Sequence, residues 1–319
     1  MFNHIPVLLK ETIDGLNIDK DKIYVDATLG GGGHSEEILK RLLGGRGFLI
    51  GIDQDDDAIK ETSSRLKKYI DDKKLIIVKN NFENIDKILD DLNIKSVDGI
   101  LFDLGVSSYQ LDEGKRGFSY NKDAKLDMRM DKENPLTCEI LVNTYQENEL
   151  KEIIEDYGEE KFARNIAKKI TAYRSNKKIE TTFELAEIIK SAIPVKYRYI
   201  EGKGNNPAKR TFQAFRIYIN RELEVLETAL DKAINRLNNG GRLAVITFHS
   251  LEDRIVKKKF KMFENPCTCP KGYPCICGKK PLGKIITKKV ITATNNEILD
   301  NRRAKPAKLR IFERGYDGK

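Results

Sequence analysis

A rhythm in the first hundred residues narrows this chain more than any other feature. Residues 23–27, 48–52, 75–78 and 97–102 are short β-rich runs that read as buried parallel strands. The segments after Ser35, Asp55 and Glu83 carry apolar residues at helical spacing instead. Parallel strands need crossovers, and helical crossovers cover both faces of a sheet, so the alternation predicts a doubly wound α/β domain. The rhythm then stops. Ile140/Leu141/Tyr145, Leu150/Ile153/Ile154/Tyr157, Phe162/Ile166/Ile170/Tyr173 and Phe183/Leu185/Ile188/Ile189 each fall on one helical face, with no convincing strand among them. It resumes with one long helix carrying Phe215, Ile219, Leu223, Leu226, Leu230, Ile234 and Leu237. A stop at Asn239-Gly240-Gly241 and strands at 242–247, 284–293 and 308–313 follow. The expected organisation is a seven-stranded α/β domain of residues 1–110 and 213–319, interrupted by a helical insertion at 111–212.

Charge then points to a partner. The 319 residues carry a formal net charge of +9, but the excess is uneven. From Leu251 onward there are 18 basic and 7 acidic residues, while the first 250 residues are slightly acidic. A basic C-terminal fifth suits a polyanion, most often nucleic acid, although a solvated lysine-rich face explains it equally well. No run approaches the roughly 18 apolar residues of a membrane span. Lys10, Glu11 and Asp14 stand where a signal peptide needs an apolar core. The expectation is a cytoplasmic protein with no membrane partner. Four of five cysteines crowd into Cys267–Cys277, unlike the dispersed framework of a secreted scaffold.

The first strand runs into Asp26-Ala27-Thr28-Leu29-Gly30-Gly31-Gly32-Gly33-His34-Ser35. Glycines at a strand-to-helix turn bend the backbone tightly and bring N–H groups to a ligand at the helix N-terminus. A merely flexible glycine loop is the bland reading, and its position between strand and helix argues against it. A dinucleotide fingerprint needs a third Gly or Ala, but the third position is Ser35 counted from Gly30 and Glu36 counted from Gly31. What stands here is D-x-x-x-G-x-G. The acid before the glycines would repel a pyrophosphate and suits a cationic amino group, as in the methionine part of S-adenosylmethionine. Asp53, ending the second strand, can accept from both ribose hydroxyls, or can simply be a helix N-cap. Asn80-Asn81-Phe82 follows the third strand where an adenine would lie, with Phe82 either flanking its face or packed in the core. Asp103-Leu104-Gly105 ends the fourth strand on the same edge, as an acceptor for an amine or as a capped turn.

Longer motifs carry a resemblance. Gly-Gly-Gly-His-Ser, the run Asp103 to Asp112, Arg116-Gly-Phe-Ser119, Leu126-Asp-Met-Arg-Met-Asp131, Arg210-Thr-Phe-Gln-Ala-Phe-Arg-Ile217 and the run Gly240 to Arg254 together resemble the bacterial RsmH (MraW) family. The likeness extends from His4 to about Glu313. It implies methylation of N4 of a decoding-centre cytosine in 16S ribosomal RNA, within the small ribosomal subunit, using S-adenosylmethionine. It also implies a Rossmann-like seven-stranded methyltransferase fold with an inserted all-helical domain, residues 111–212, that recognises the substrate. Carried over by motif, the cofactor-binding residues are Gly32, Gly33, His34, Asp53, Phe82, Asp103 and Gln110. Lys305-Pro306-Ala307 departs from the family's usual run, and the Cys267–Cys277 cluster is not shared by every member, so no role transfers to it.

Methyl transfer to an amine needs alignment of nitrogen, methyl and sulfur more than it needs a strong base. DNA amino-methyltransferases place an Asp-Pro-Pro-Tyr-like motif where Asp103 stands, but Leu104-Gly105-Val106 has neither proline nor aromatic. Base stacking then falls to Tyr109, Phe118 or Tyr120, each of which can equally be ordinary packing. Asp127 and His249 are the candidates for amine contact or proton acceptance, with a structural hydrogen-bonding role the bland reading of His249. RNA contact is expected from the segment Lys196 to Lys203 with Tyr197 and Tyr199, from Lys209-Arg210, and from the basic tail, including Lys257 to Lys259 and Arg302-Arg303. Cys267, Cys269, Cys275 and Cys277 form two C-x-C pairs with the donor set of a structural zinc site. Reduced thiols and a redox-sensitive disulfide compete with zinc. A nicotinamide oxidoreductase would explain the glycines and Asp53 but not the failed fingerprint. A non-catalytic RNA-binding assembly factor would explain the charge but leave Asp26, Asp53 and Asp103 idle.

Overall fold

The early strands form where the β-branched apolar runs place them, and three of the four run one residue further, onto a polar side chain. They are β1 (Ile23–Asp26), β2 (Phe48–Asp53), β3 (Leu75–Lys79) and β4 (Val97–Asp103). The structure, a computed structural model, describes residues 6–106, 116–198, 206–270 and 276–315. Four more strands follow: β5 (Leu237–Thr247), β6 (Gly283–Ile285), β7 (Ile291–Thr292) and β8 (Lys308–Arg314). The sheet order is β3-β2-β1-β4-β5-β8-β6, with β7 also on β8. β1 to β5 are parallel, and β8 runs antiparallel to β5. The order reverses between β1 and β4, the switch point where ligands of such sheets bind. The fold is a doubly wound, Rossmann-like α/β sheet.

Alternation along each strand builds two cores. Val25, Ile50, Ile100, Phe102, Val245 and Phe312 face one side, with Ile85, Ile88, Leu226, Leu230 and Phe260 of the covering helices. Tyr24, Leu49, Leu101, Ala244 and Ile311 face the other, with Ile13, Leu16, Ile38 and Leu39. Both faces are covered, so the strands read as continuous apolar runs. Each fully buried Leu, Ile or Phe contributes about 1.5–3 kcal/mol.

The chain divides into two compact units, residues 1–105 with 223–319, and residues 106–222. The second is helical, with helices Cys138–Thr144, Glu147–Gly158, Ala163–Arg174, Thr182–Ala192, Val195–Arg198 and Lys209–Asn220. Its core gathers Leu141, Ile154, Ile166, Ile170, Leu185, Ile189 and Phe215. Ile140 and Phe183, expected on the buried faces, are exposed.

Three expectations are corrected by the backbone. The long helix is broken at Arg221, whose φ of 50° is left-handed, into Lys209–Asn220 and Glu222–Asn235. Phe215 and Ile219 therefore serve the helical unit and Leu226 and Leu230 the sheet unit, which moves the boundary from 213 to 223. The strand expected at 284–293 is instead the two short strands β6 and β7, both on β8. Asn239-Gly240-Gly241 lies inside β5, where the register against β4 shifts, and does not precede it.

Candidate functional site

Three carboxylates stand at strand ends on one edge of the sheet. Asp26 closes β1 and is 1% exposed. Its Oδ1 accepts from the Thr28 N–H at 3.1 Å and its Oδ2 from the Ser35 hydroxyl at 2.6 Å. Burial pushes its pKa up. Asp26 thus fastens both ends of the glycine turn. Asp26 is buried and each of its oxygens already accepts within the protein, so it holds the turn in shape.

The turn itself is over-determined. Gly30 and Gly32 have φ of 47° and 71°. Gly30 O accepts from the Thr62 hydroxyl at 2.6 Å, and Gly30 N–H donates to Asp53 Oδ2 at 2.8 Å. A Cβ on Gly32 would sit 2.7 Å from Thr62 Cγ2, and one on Gly33 would sit 2.3 Å from Pro6 Cγ. One on Gly31 would meet nothing within 4 Å. Gly31 therefore borders open space, while Gly32 and Gly33 are held by packing. The helix Gly33–Leu42 begins here, so the N–H groups of Gly33, His34 and Ser35 have no carbonyl partner within the helix and suit a carboxylate.

Asp53 closes β2, with Oδ1 accepting from the Asp55 N–H at 2.9 Å. Burial raises its pKa to about 6, against the lowering effect of the Asp55 and Gly30 N–H groups. Each oxygen takes one backbone donor and keeps a lone pair for a ribose hydroxyl. Asp103 closes β4, and its N–H donates to Thr28 Oγ1 at 2.7 Å. Its Oδ2 lies 3.3 Å from His34 Nδ1. Its Oδ1 is buried and has no hydrogen-bond partner among the described residues. A buried acceptor left open at the switch point is what a ligand's amino group would satisfy.

His34 sits differently from the expectation. Its ring is 4% exposed, with Nε2 3.1 Å from Val7 O. Burial lowers its pKa, but hydrogen bonding and charge from Asp103, with the charge of Asp26 and the Val7 carbonyl, outweigh that and raise it. Both ring nitrogens face acceptors, so the imidazolium is favoured and holds Asp103 in place. Only its backbone N–H is left for a ligand. Phe82 follows β3, half-buried, with its ring edge-on to Phe102 at 5.4 Å. Gln110 lies outside the described residues, as do Tyr109, Tyr199, Lys203 and Cys275.

The proton-acceptor candidates are committed elsewhere. Asp127, in the helical unit, makes a forked pair with Arg129, 2.7 Å to Nε and 3.0 Å to Nη2. Burial raises the Asp127 pKa, but the Arg129 hydrogen bonds and charge outweigh it and hold the carboxyl below its usual value. A carboxylate so held is a poor base. His249 caps the helix Ser250–Glu264, its Nδ1 accepting from the Glu252 N–H at 3.5 Å. Glu252 Oε1 is 3.0 Å from Nε2, at an angle that makes no hydrogen bond. Phe118 and Tyr120 belong to the helical unit's packing, with Tyr120 edge-on to Phe212 at 5.7 Å.

The basic surface is narrower than the charge count suggests. Lys257 and Lys258 are exposed, as are Arg302 and Arg303. Lys259 is buried, 2.7 Å from Asp231 and 3.1 Å from Glu227, so it is removed from the RNA-contact set. Lys308 and Arg310 are both paired with Asp253. Tyr197 is partly exposed, with Lys196 Nζ 4.8 Å from its ring centroid. The sulfurs of Cys267, Cys269 and Cys277 lie within 4.8 Å of one another. Thr28 and Thr62 tie the site together and were missed in the sequence, where neither stands in a pattern that signals a role. No described helix is long and apolar enough to cross a membrane.

A family model described as the MraW methylase family matches residues 1–315. "Ribosomal RNA small subunit methyltransferase H" of Lachnospira eligens is 60% identical over 314 residues, covering 98% of each chain. The protein of the same name from Clostridium botulinum strain Kyoto is 58% identical over 311 residues, covering 97% of this chain and 98% of its own. A solved rRNA methylase from Streptococcus thermophilus has a TM-score of 0.44 and 12% identity, over 98% of this chain and 99% of that one.

Proposed function

Because this chain belongs to the MraW methylase family, we propose that it transfers the methyl group of S-adenosylmethionine to N4 of a cytosine in the decoding centre of 16S ribosomal RNA. The family and the names of its relatives support S-adenosylmethionine-dependent methylation of ribosomal RNA. The choice of cytosine N4 rests on the motif resemblance. The observation that carries the reading is the set of strand-end carboxylates around the glycine turn, with Asp103 Oδ1 buried and open.

S-adenosylmethionine, when bound, supplies a methyl group on a sulfonium that an amine can displace in line. The chain's own residues then position and shield. Asp53 orients the ribose, the N-terminal N–H groups at Gly33 to Ser35 receive the amino-acid carboxylate, and Phe82 flanks the adenine. His34 fixes Asp103 so that its open oxygen accepts from the cofactor's amino group. Neither Asp127 nor His249 is poised as a base, which fits a reaction in which alignment supplies most of the rate. A ribosomal RNA substrate supports action in the cytoplasm. The test is transfer of labelled methyl from S-adenosylmethionine to small ribosomal subunits. A nicotinamide dinucleotide that raises the melting temperature where S-adenosylmethionine does not would favour the oxidoreductase instead.

RNA contact through the exposed lysines has its own expected result. Lys257→Glu with Lys258→Glu should reduce the slope of log affinity against log salt by roughly 1–2, since each phosphate contact contributes about 0.7–0.9. Cofactor affinity and melting temperature should not change. Lys259→Glu should instead lower the melting temperature, because it places an unpaired carboxylate at a buried position beside the exposed carboxylates of Glu227 and Asp231. A salt slope unchanged in the double variant would assign Lys257 and Lys258 to a solvated face.

A further inference from the structure

The thiols singled out in the sequence are not used by the methyltransferase reading, yet the fold brings them together. Cys267 and Cys269 follow the helix Ser250–Glu264, and Cys277 precedes β6. Three sulfurs from two stretches of this loop lie within 4.8 Å of one another. The loop is closed at its base, where the Leu282 N–H donates to Phe263 O at 2.8 Å and the Ile285 N–H donates to Glu264 Oε1 at 2.8 Å. Those bonds juxtapose the loop's two ends without using any of the cysteines.

We propose that Cys267, Cys269 and Cys277 are ligands of a structural zinc ion. In a tetrahedral zinc–thiolate centre, Zn–S bonds of about 2.3 Å place sulfurs roughly 3.8 Å apart, inside the 4.8 Å that bounds these three sulfurs. The donor set is sulfur only among these three, which selects a soft or borderline metal over magnesium or calcium. Binding deprotonates the thiols and releases their protons to solvent; nothing is oxidised or reduced. Cys275, the remaining thiol of the two C-x-C pairs, lies outside the described residues, and the site is defined by the other three. The ion would pin the connection from the helix bearing Lys257 and Lys258 to β6, and so order the segment beside the basic surface. The proposal stands apart from the methyltransferase reading.

The experiment uses the full chain, purified without chelator under reducing conditions. Elemental analysis should find about one zinc per chain. After removal of the metal, cobalt chloride should produce the absorption bands of a tetrahedral cobalt–thiolate site, and zinc chloride should bleach them. Cys267→Ser and Cys277→Ser should each lower metal content about ten-fold or more while S-adenosylmethionine affinity is retained. Should a variant fail to fold, the thiol reactivity of the unaltered protein decides: zinc chloride should protect the clustered cysteines from alkylation. Zinc near zero with no cobalt spectrum overturns the proposal. So does iron with sulfide in place of zinc, or a disulfide among these cysteines in the freshly purified reduced protein.

Discussion

Replacing Asp53 by alanine should weaken S-adenosylmethionine binding about ten- to a hundred-fold while leaving a folded protein. Losing a charge-assisted hydrogen bond costs roughly 1.5–3 kcal/mol, and each 1.4 kcal/mol is ten-fold in affinity. Two effects add in the same direction. The carboxylate that would receive the ribose is gone, and so is the acceptor that fixes the Gly30 N–H in the turn. The same residue gives affinity a pH dependence. With its pKa near 6, Asp53 takes up a proton as pH falls through that value and loses acceptor capacity, so cofactor affinity should decline below about pH 6. The sign for stability is the opposite. A carboxyl whose folded pKa lies above its unfolded value of about 3.9 favours the folded state at low pH, and that contribution is lost as pH rises through 6. Calorimetry at pH 7.5 and 5.5 on wild-type and Asp53→Ala proteins reads both effects. Equal affinities at pH 7.5 would remove Asp53 from the ribose.

A second large effect is expected at Gly32. Alanine there must adopt φ near 71°, at about 1–2 kcal/mol, and must also fit a Cβ 2.7 Å from Thr62 Cγ2 and 3.1 Å from Arg65 Nη2. Overpacking adds roughly 1–3 kcal/mol. Thr62 cannot swing aside freely, because its hydroxyl holds Gly30 O. Gly32→Ala should therefore lower the melting temperature by several degrees and reduce cofactor affinity by at least about ten-fold. Gly31→Ala, whose Cβ meets open space, should leave the melting temperature nearly unchanged. Equal melting temperatures in the two variants would contradict the packing described for the turn.

The difference between these neighbouring glycines shows what was legible in the sequence. Four consecutive glycines after a buried strand announce a tight turn at a helix start, but which of them face the protein depends on Thr62 and Pro6, brought there only by the fold. The strand ends were legible because an apolar β-branched run stops at an Asp or Lys, as at Asp53, Lys79 and Asp103. The helix break at Arg221 was not, since the apolar spacing continues through it and only a left-handed φ in a residue with no such preference marks the change. His34 stands in the right motif but turns inward, because Val7 and Asp103 offer acceptors to both its nitrogens. Lys259 counted as surface charge until the fold set Glu227 and Asp231 beside it. Strand ends and turns follow from local chemistry, whereas burial of a polar side chain depends on partners distant in sequence.

The central claim is the identity of the methylated atom. Small ribosomal subunits whose 16S RNA lacks the modification are incubated with the protein and labelled S-adenosylmethionine, and the RNA is digested to nucleosides and separated by mass. The expected result is label in N4-methylcytidine, at one position in the decoding-centre fragment, lost when Asp53→Ala is assayed at cofactor concentrations well below its weakened Kd. Label in 5-methylcytidine, in another base, or in no nucleoside at all would contradict the account.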